Sequence, residues 1–319
     1  IHSGVPQQPI HPSNTYATET PATDGKAVYA YFGATGTLVA LNFEGEELWR
    51  REFGTFPILE GFGTGASLTL EDGKVIVECY NEKQSFQAAV DTNTGSEVWR
   101  NALIPGSSWA TPLVWRNSLR TELISCGKGL VTSVDPETGK EYWRLGQFDT
   151  AFASSPTCAG DRLYFGASSP GSSSPFFVVQ AGAHGDISLE KGTSSNAFVV
   201  WHKNGMGPGM CSVLEKDGLL YTMGTGILTC YDAQTGERIY RERIPKAGSF
   251  AANPICHGDK LYFLDENGVT HVIQTGRQFK LLGSNPLPRE TYWSSPALGK
   301  NCLLIRGTEH LYCIREPNR

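Results

Sequence analysis

The chain has 319 residues, 39% hydrophobic and 18% charged, which is enough for one large all-β domain or two smaller ones. Its 36 glycines and 11% aromatic content, against 3 methionines, favour tight turns and aromatic-rich strands over helices. The net charge of −5 comes without any basic run, which argues against a nucleic-acid or anionic-membrane partner; no apolar run reaches the roughly 18–20 residues of a membrane span.

The opening, IHSGVPQQPIHP, shows no secretory leader, so a processed or truncated start is expected. Pro6, Pro9 and Pro12 make poor strand material. Ile1–Gly4 are expected to be the tail of an outer strand whose body lies upstream. From there the chain repeats itself. A proline opens a strand (Thr20-Pro21), DGKAVYAYFG supplies a turn and a second strand, LVAL a third, and the turn at Gly45 leads to a fourth carrying Trp49. The second unit has DGKVIVECY and then VDTNTGSEVWR with Gly95 and Trp99; the third has Thr111-Pro112 and then VDPETGKEYWR with Gly139 and Trp143. The fourth starts at Ser155-Pro156 and GDRLYFGA, but 168–198, rich in Ser and Gly, replaces the Asp-x-x-Thr-Gly turn and is expected as an exposed excursion on one face. The fifth has DGLLYTMG and YDAQTGERIYR, with Tyr240 in the tryptophan's place. The sixth has Asn253-Pro254, GDKLYFL and a degenerate Gly276; the last starts at Ser295-Pro296 and ends on a third strand, HLYCI.

Each turn has a chemical reason. In DPETG the Asp side chain caps the backbone ahead, Pro presets φ, and Gly accepts positive φ. Asp-Gly before alternating apolar residues is a hairpin signal. The units fall at 21–53, 64–104, 109–148, 153–203, 211–244, 251–283 and 292–315, and 1–319 is expected to be a single domain. A four-stranded unit of this size cannot bury both faces alone. Stacked about an axis, neighbours cover one another, so the sequence predicts an all-β propeller of four-stranded antiparallel blades, seven of them in this chain. Trp49, Trp99, Trp143 and Tyr240 are then wedges between neighbouring blades, stacking near the turn of the next unit.

The eight cysteines are scattered, without a CxxC, and read as buried strand thiols. Cys302 and Cys313 sit symmetrically about Gly307–Thr308, as if to face each other across a hairpin. His11, His184 and His257 lie in turns or loops and would bind a metal only by converging with each other or with a carboxylate such as Asp186; no metal site is predicted. No phosphate loop, HExxH or GxSxG is present, and no catalytic residue is assigned. Just before the strand-opening prolines stand Tyr16, Trp109, Phe152, Phe250, Tyr292 and Trp293, with polar neighbours Glu19, Thr111, Ser154, Asn253 and Ser294. Two readings stay open. The aromatics line a funnel at the channel mouth for a planar ligand or a peptide, or they plug the inner strands together. The polar residues orient a ligand, or satisfy strand ends.

Asp-x-x-Thr-Gly-x-x-x-Trp-Arg, with Ser-Ser-Pro strands and Gly-Asp-x-Leu-Tyr hairpins, resembles the PQQ-like, quinoprotein-type β-propeller repeat over essentially the whole chain. NTYATETPATDGKAVYAYFG, WATPLVW, GAHGDISL and HLYCI resemble exported planctomycete-type PQQ-binding-like repeat proteins, and more distantly the BamB-type assembly propellers. The resemblance implies an eight-bladed parent, a periplasmic or otherwise extracytoplasmic location, and a non-enzymatic scaffold with a protein partner, possibly in envelope assembly. It also implies an alternative, a PQQ-dependent dehydrogenase with calcium or its degenerate relative; the aromatic funnel itself offers another, a small-molecule or glycan sensor. The quinoprotein enzymes hold their quinone between a tryptophan and a vicinal Cys–Cys disulfide, a pair this sequence lacks, so no cofactor is assigned.

Overall fold

The computed structural model describes residues 10–12, 14–56, 58, 61–169 and 171–315. The strand tail expected at Ile1–Gly4 lies outside them. Seven antiparallel sheets follow one another along the chain. The first is β1 (Ala22–Thr23), β2 (Val28–Phe32), β3 (Thr37–Leu41) and β4 (Glu47–Glu52); the second is β5 (Thr69–Glu71), β6 (Lys74–Cys79), β7 (Phe86–Asp91) and β8 (Glu97–Ala102). The third comprises β9 (Leu113–Arg116), β10 (Thr121–Gly127), β11 (Leu130–Val134) and β12 (Glu141–Leu145). The fourth is β13 (Thr157–Ala159), β14 (Arg162–Gly166), β15 (Phe176–Gln180) and, after the short β16 (Gly185–Asp186), β17 (Val199–Lys203). The fifth holds β18 (Leu214–Lys216), β19 (Leu219–Met223), β20 (Ile227–Asp232) and β21 (Arg238–Arg243), and the sixth β22 (Ile255–His257), β23 (Lys260–Leu264), β24 (Val269–Gln274) and β25 (Leu281–Pro286). The last is three-stranded: β26 (Ala297–Gly299), β27 (Cys302–Arg306) and β28 (Leu311–Arg315). The protein is a seven-bladed all-β propeller, each blade running outward from a short inner strand.

The repeated phrase does the work its chemistry demands. Asp91 Oδ1 accepts from the amides of Asn93 (3.0 Å) and Thr94 (2.8 Å) and from the Thr94 hydroxyl. Gly95 follows at φ +70, and a Cβ there would stand 2.7 Å from the Trp49 ring of the preceding blade. Trp49 Nε1 donates to Thr92 O of the same turn (2.8 Å). Trp99 repeats this one blade on, over Gly139 with Nε1 to Pro136 O. Trp143 is different. Its Nε1 donates to Glu122 within its own blade (2.7 Å), and the ring is sealed in the core shared by the third and fourth blades. Tyr240 packs edge-on against Phe279 of the next blade. Trp201, which the sequence reading passed over, lies over Gly236 and donates to Ala233 O. Its own unit has lost the Thr-Gly phrase that marks the other tryptophans.

Two expectations are corrected. The 168–198 segment is not a simple excursion on one face. It contains β15, and β16 pairs parallel to the outer edge of the third blade, Trp143 opposite Gly185. Ala183 and Ile187 are buried there with Trp143 and Leu145; these apolar side chains gain more by covering a blade edge than by standing in water. Cys302 and Cys313 do not face each other. Cys302 opposes Arg315 and Cys313 opposes Leu304, and the cysteines are free.

Candidate functional site at the propeller mouth

The inner strands begin at the mouth, and there the residue preceding each strand serves a neighbour. Thr20 N donates to Ser67 Oγ (3.0 Å), Ser67 N to Thr111 Oγ1 (3.0 Å), and Thr111 N to Ser155 Oγ (2.9 Å). Ser155 N donates to Ser212 Oγ (2.9 Å), Ser212 N to Asn253 Oδ1 (2.7 Å), and Asn253 N to Ser295 Oγ (2.9 Å). Each blade hands one amide to a side chain of the next, so the girdle spans all seven. Among the described residues the step from Ser295 back to Thr20 carries no such bond. These amides have no ladder partner of their own, and a short polar side chain supplies the missing acceptor.

The polar candidates divide accordingly. Thr111 and Asn253 are girdle members, and Ser154 Oγ donates to Gly166 O (2.8 Å). Ser294 is exposed. Glu19 is buried beside Gly33 and Thr64. Neither of its carboxylate oxygens has a partner in hydrogen-bonding geometry among the described residues. Burial pushes its carboxyl up, the Thr64 hydroxyl and nearby backbone pulling the other way.

The aromatic candidates divide too. Phe152, Phe250 and Tyr292 are buried. Phe152 meets Phe148 and Phe165, Phe250 meets Phe263 and His271, and Tyr292 meets Tyr312. Tyr292 also donates to Pro288 O (2.8 Å). Trp109 is half-buried, its Nε1 on Gly63 O (2.8 Å) and its ring edge-on to Phe62. A small hollow beside Gly63 and Thr64 brings Tyr16 to the same connecting segment. Tyr16 is 44% exposed and Trp293 half-buried. Tyr16 leads into Thr20 and Trp293 into Ser295, so these two aromatics flank the unbonded step of the girdle.

Two other clusters have the residue types of chemistry. His271 Nδ1 meets Ser284 Oγ at 2.9 Å, and its Nε2 meets Asp265 Oδ2 at 3.4 Å. Asp265 is already committed: it accepts from the amides of Gly248, Asn267 and Val269, and so locks the β23–β24 turn. Glu290 accepts from Tyr312 OH (2.6 Å) and from the Glu309 amide (2.6 Å), clamping the β27–β28 turn, and these donors pull its carboxyl down to about 2.

The family model described as Outer membrane protein assembly factor BamB matches residues 11–110 and 82–174, just over half of the chain. The chain belongs to that family. No curated protein matches it. Among solved structures, BamB from Moraxella catarrhalis is similar with a TM-score of 0.68 and 16% identity, covering 92% of this chain and 83% of that one. Sqt1 from Saccharomyces cerevisiae is similar with a TM-score of 0.66 and 10% identity, covering 92% and 83%. A europium-containing methanol dehydrogenase follows at 0.64 and 12%, covering 91% and 71%. At these identities the likeness is one of fold.

The quinoprotein-type resemblance of the repeat raises the question of a quinone and its calcium in this BamB-family propeller. The residues present do not fit them. No two cysteines are adjacent in the sequence, and burial pushes the thiols of Cys79 and Cys211 up to about 11 and about 12, far from reactive. Among the described residues no three His, Cys, Asp or Glu side chains converge as a metal would require. Also among the described residues, no helix is long and apolar enough to cross a membrane.

Proposed function

We propose that this chain is a non-enzymatic binding scaffold working outside the cytoplasm, and that it holds a protein partner at the propeller mouth in the kind of task its family description names, outer membrane protein assembly. One observation carries the reading. Thr111 and Asn253 are spent on holding blade to blade, and at the rim Tyr16 is exposed while Trp109 and Trp293 are half-buried. Exposed aromatics on a rigid frame are binding anchors. A photo-crosslinking residue at Tyr16 or at Trp293, introduced in the native host, is expected to trap the same protein. A crosslinker at Asn93, in a turn of the second blade, is expected to miss it. Adducts that differ between the two mouth positions would break the reading.

A second reading, a quinone-dependent dehydrogenase, is favoured by the repeat resemblance and by the likeness of fold to the methanol dehydrogenase. Titration of the purified protein with PQQ and calcium separates the two. The scaffold reading expects neither tryptophan quenching at micromolar PQQ nor dye reduction with alcohols or sugars; both together would replace it.

A further inference from the structure

A cleft of about 370 Å³ lies between the second and third blades, between the end of β8 and the faces of β11 and β12. Its cause can be read by superposing the repeated phrase on itself. Between the first and second blades, Phe53 stands four residues after Trp49 and Phe86 five before Asp91. The two rings stack at 5.4 Å, and the Arg100 guanidinium lies 4.5 Å over Phe86 and 5.2 Å over Phe53. One blade on, the same positions are Leu103, Leu130 and Arg144. All three line the cleft. Two leucines stand where two phenylalanines stood, and the space their rings would fill is open. Ile104, next to Leu103, is 56% exposed.

The remaining lining states what belongs there. Among the described residues Lys128 meets Asp149 at 4.0 Å, Arg100 pairs with Glu97, and Arg144 pairs with Glu141 through Nε and Nη2. Of the ionised side chains lining the cleft, three are cations and one, Glu141, is a carboxylate. At the inner end is the Thr132 hydroxyl, buried and without a hydrogen-bond partner among the described residues. The protein fills the neighbouring seam with its own extended segment, residues 51–56, carrying Phe53 and Phe56 against Phe86.

We propose that the cleft between the second and third blades is a docking slot for an extended, acidic peptide segment that inserts aromatic side chains over Leu103 and Leu130 and sets its carboxylates against Lys128 and Arg144. This deepens the scaffold reading and rests on it, but the slot is separate from the mouth. An aromatic ring under Arg144 reproduces the stack the fold builds under Arg100, and an extended backbone suits a slot that runs along the strands.

The probe is a fluorescein-labelled peptide, Asp-Asp-Phe-Ser-Phe-Asp-Asp, titrated against the whole chain by fluorescence anisotropy. Saturable binding at tens of micromolar or tighter is expected, weakened roughly tenfold or more when Lys replaces Asp or Ala replaces Phe. The double variant Leu103→Phe, Leu130→Phe fills the slot with the chain's own solution. It should melt higher than the parent and lose the peptide, while adducts from Tyr16 and Trp293 persist. Arg144→Gln should weaken the Asp peptide more than a neutral Ser-flanked one, a readout that stands even if the double variant does not fold. No saturable binding up to about 1 mM, equal binding of the Lys and Asp peptides, or a filled variant that still binds would overturn the slot and leave the mouth untouched. Loss of the mouth adducts with the slot intact would overturn the mouth reading alone.

Discussion

Between the first and second blades, thirteen buried apolar residues form one cluster, with Phe53 stacked on Phe86 and guanidiniums above them. Between the second and third blades the corresponding cluster has four: Ile76, Ala89, Leu123 and Val134. Beside them that second seam buries a polar group. Glu78 Oε2 accepts from Gln87 Nε2 (2.9 Å) and, across the seam, from Ser125 Oγ (2.6 Å), and Ser125 also bonds Tyr80 OH (2.9 Å). Glu78 Oε1, Gln87 Oε1 and Thr132 Oγ1 have no partner among the described residues. The tryptophan wedge is the same in both seams, Trp49 over Gly95 and Trp99 over Gly139. These two steps of the ring are therefore held by a common device, and the side chains inside each are free to differ. One seam is glue; the other is open to a guest.

The largest loss is expected where the glue is cut. Phe86→Ala removes a ring that is 2% exposed, together with its stack on Phe53, and should cost about 4–5 kcal/mol. Leu130→Ala, the same position one blade on, already borders the cleft and should cost about 2–3 kcal/mol. Urea unfolding of both variants checks the comparison; equal losses would mean that the two seams are not energetically distinct.

Next comes the buried acid. Burial pushes the Glu78 carboxyl up from 4.5 to about 8, against the pull of Ser125 and Gln87. The folded chain holds the proton and the unfolded chain releases it. Stability from this group is therefore full below pH 4.5 and is lost as pH rises through about 8. The swing is on the order of 5 kcal/mol. Glu78→Gln keeps the shape and removes the titration. The variant should match the parent near pH 4.5 and exceed it by that amount above pH 8. A parent and variant with parallel pH profiles would show that the seam is wet enough to hold the carboxylate.

A smaller effect tests the girdle where it crosses each seam. Thr111→Val strips the acceptor from the Ser67 amide, half-buried between the second and third blades, and should cost about 1–2 kcal/mol. Ser67→Ala strips it from the Thr20 amide, whose residue is exposed. Water takes over there, and the loss should stay under about 1 kcal/mol. Thermal melts rank the two; the reverse order would remove the girdle from the account of ring stability.

Much of this was legible in the residues, and the remainder was not for definite reasons. The eleven-residue phrase fixed where strands turn, because Asp, Thr and Gly have one conformational use there, and it placed Trp49 and Trp99 over the next turn. It lost Trp201 where 181–198 replaces the phrase. The prolines before the inner strands served as period markers, yet the residue ahead of each one (Thr20, Thr111, Ser155, Asn253, Ser295) is what ties blade to blade. The marker was visible and its bond partner, one repeat away in space, was not. Glu78 was harder still. In VIVECY both faces of β6 are buried, so period-2 alternation cannot say which neighbour each side chain meets. That Val77 meets the first blade and Glu78 the third is a property of the ring, set only when the blades close on one another.

The smallest predicted effect decides what the polar seam is for. Thr132 is 6% exposed and its hydroxyl is unpartnered among the described residues. If its purpose were packing, valine would serve better, because the shape is kept and an unpaired buried hydroxyl is removed. Thr132→Val should therefore raise stability by up to about 1 kcal/mol in the free protein. The gain should be the same when the acidic phenylalanine peptide is present, since the hydroxyl is sealed from the cleft. A melt of parent and variant, with and without peptide, reads both differences at once. A variant less stable than the parent in the free state would mean that the hydroxyl already has a partner, an ordered water.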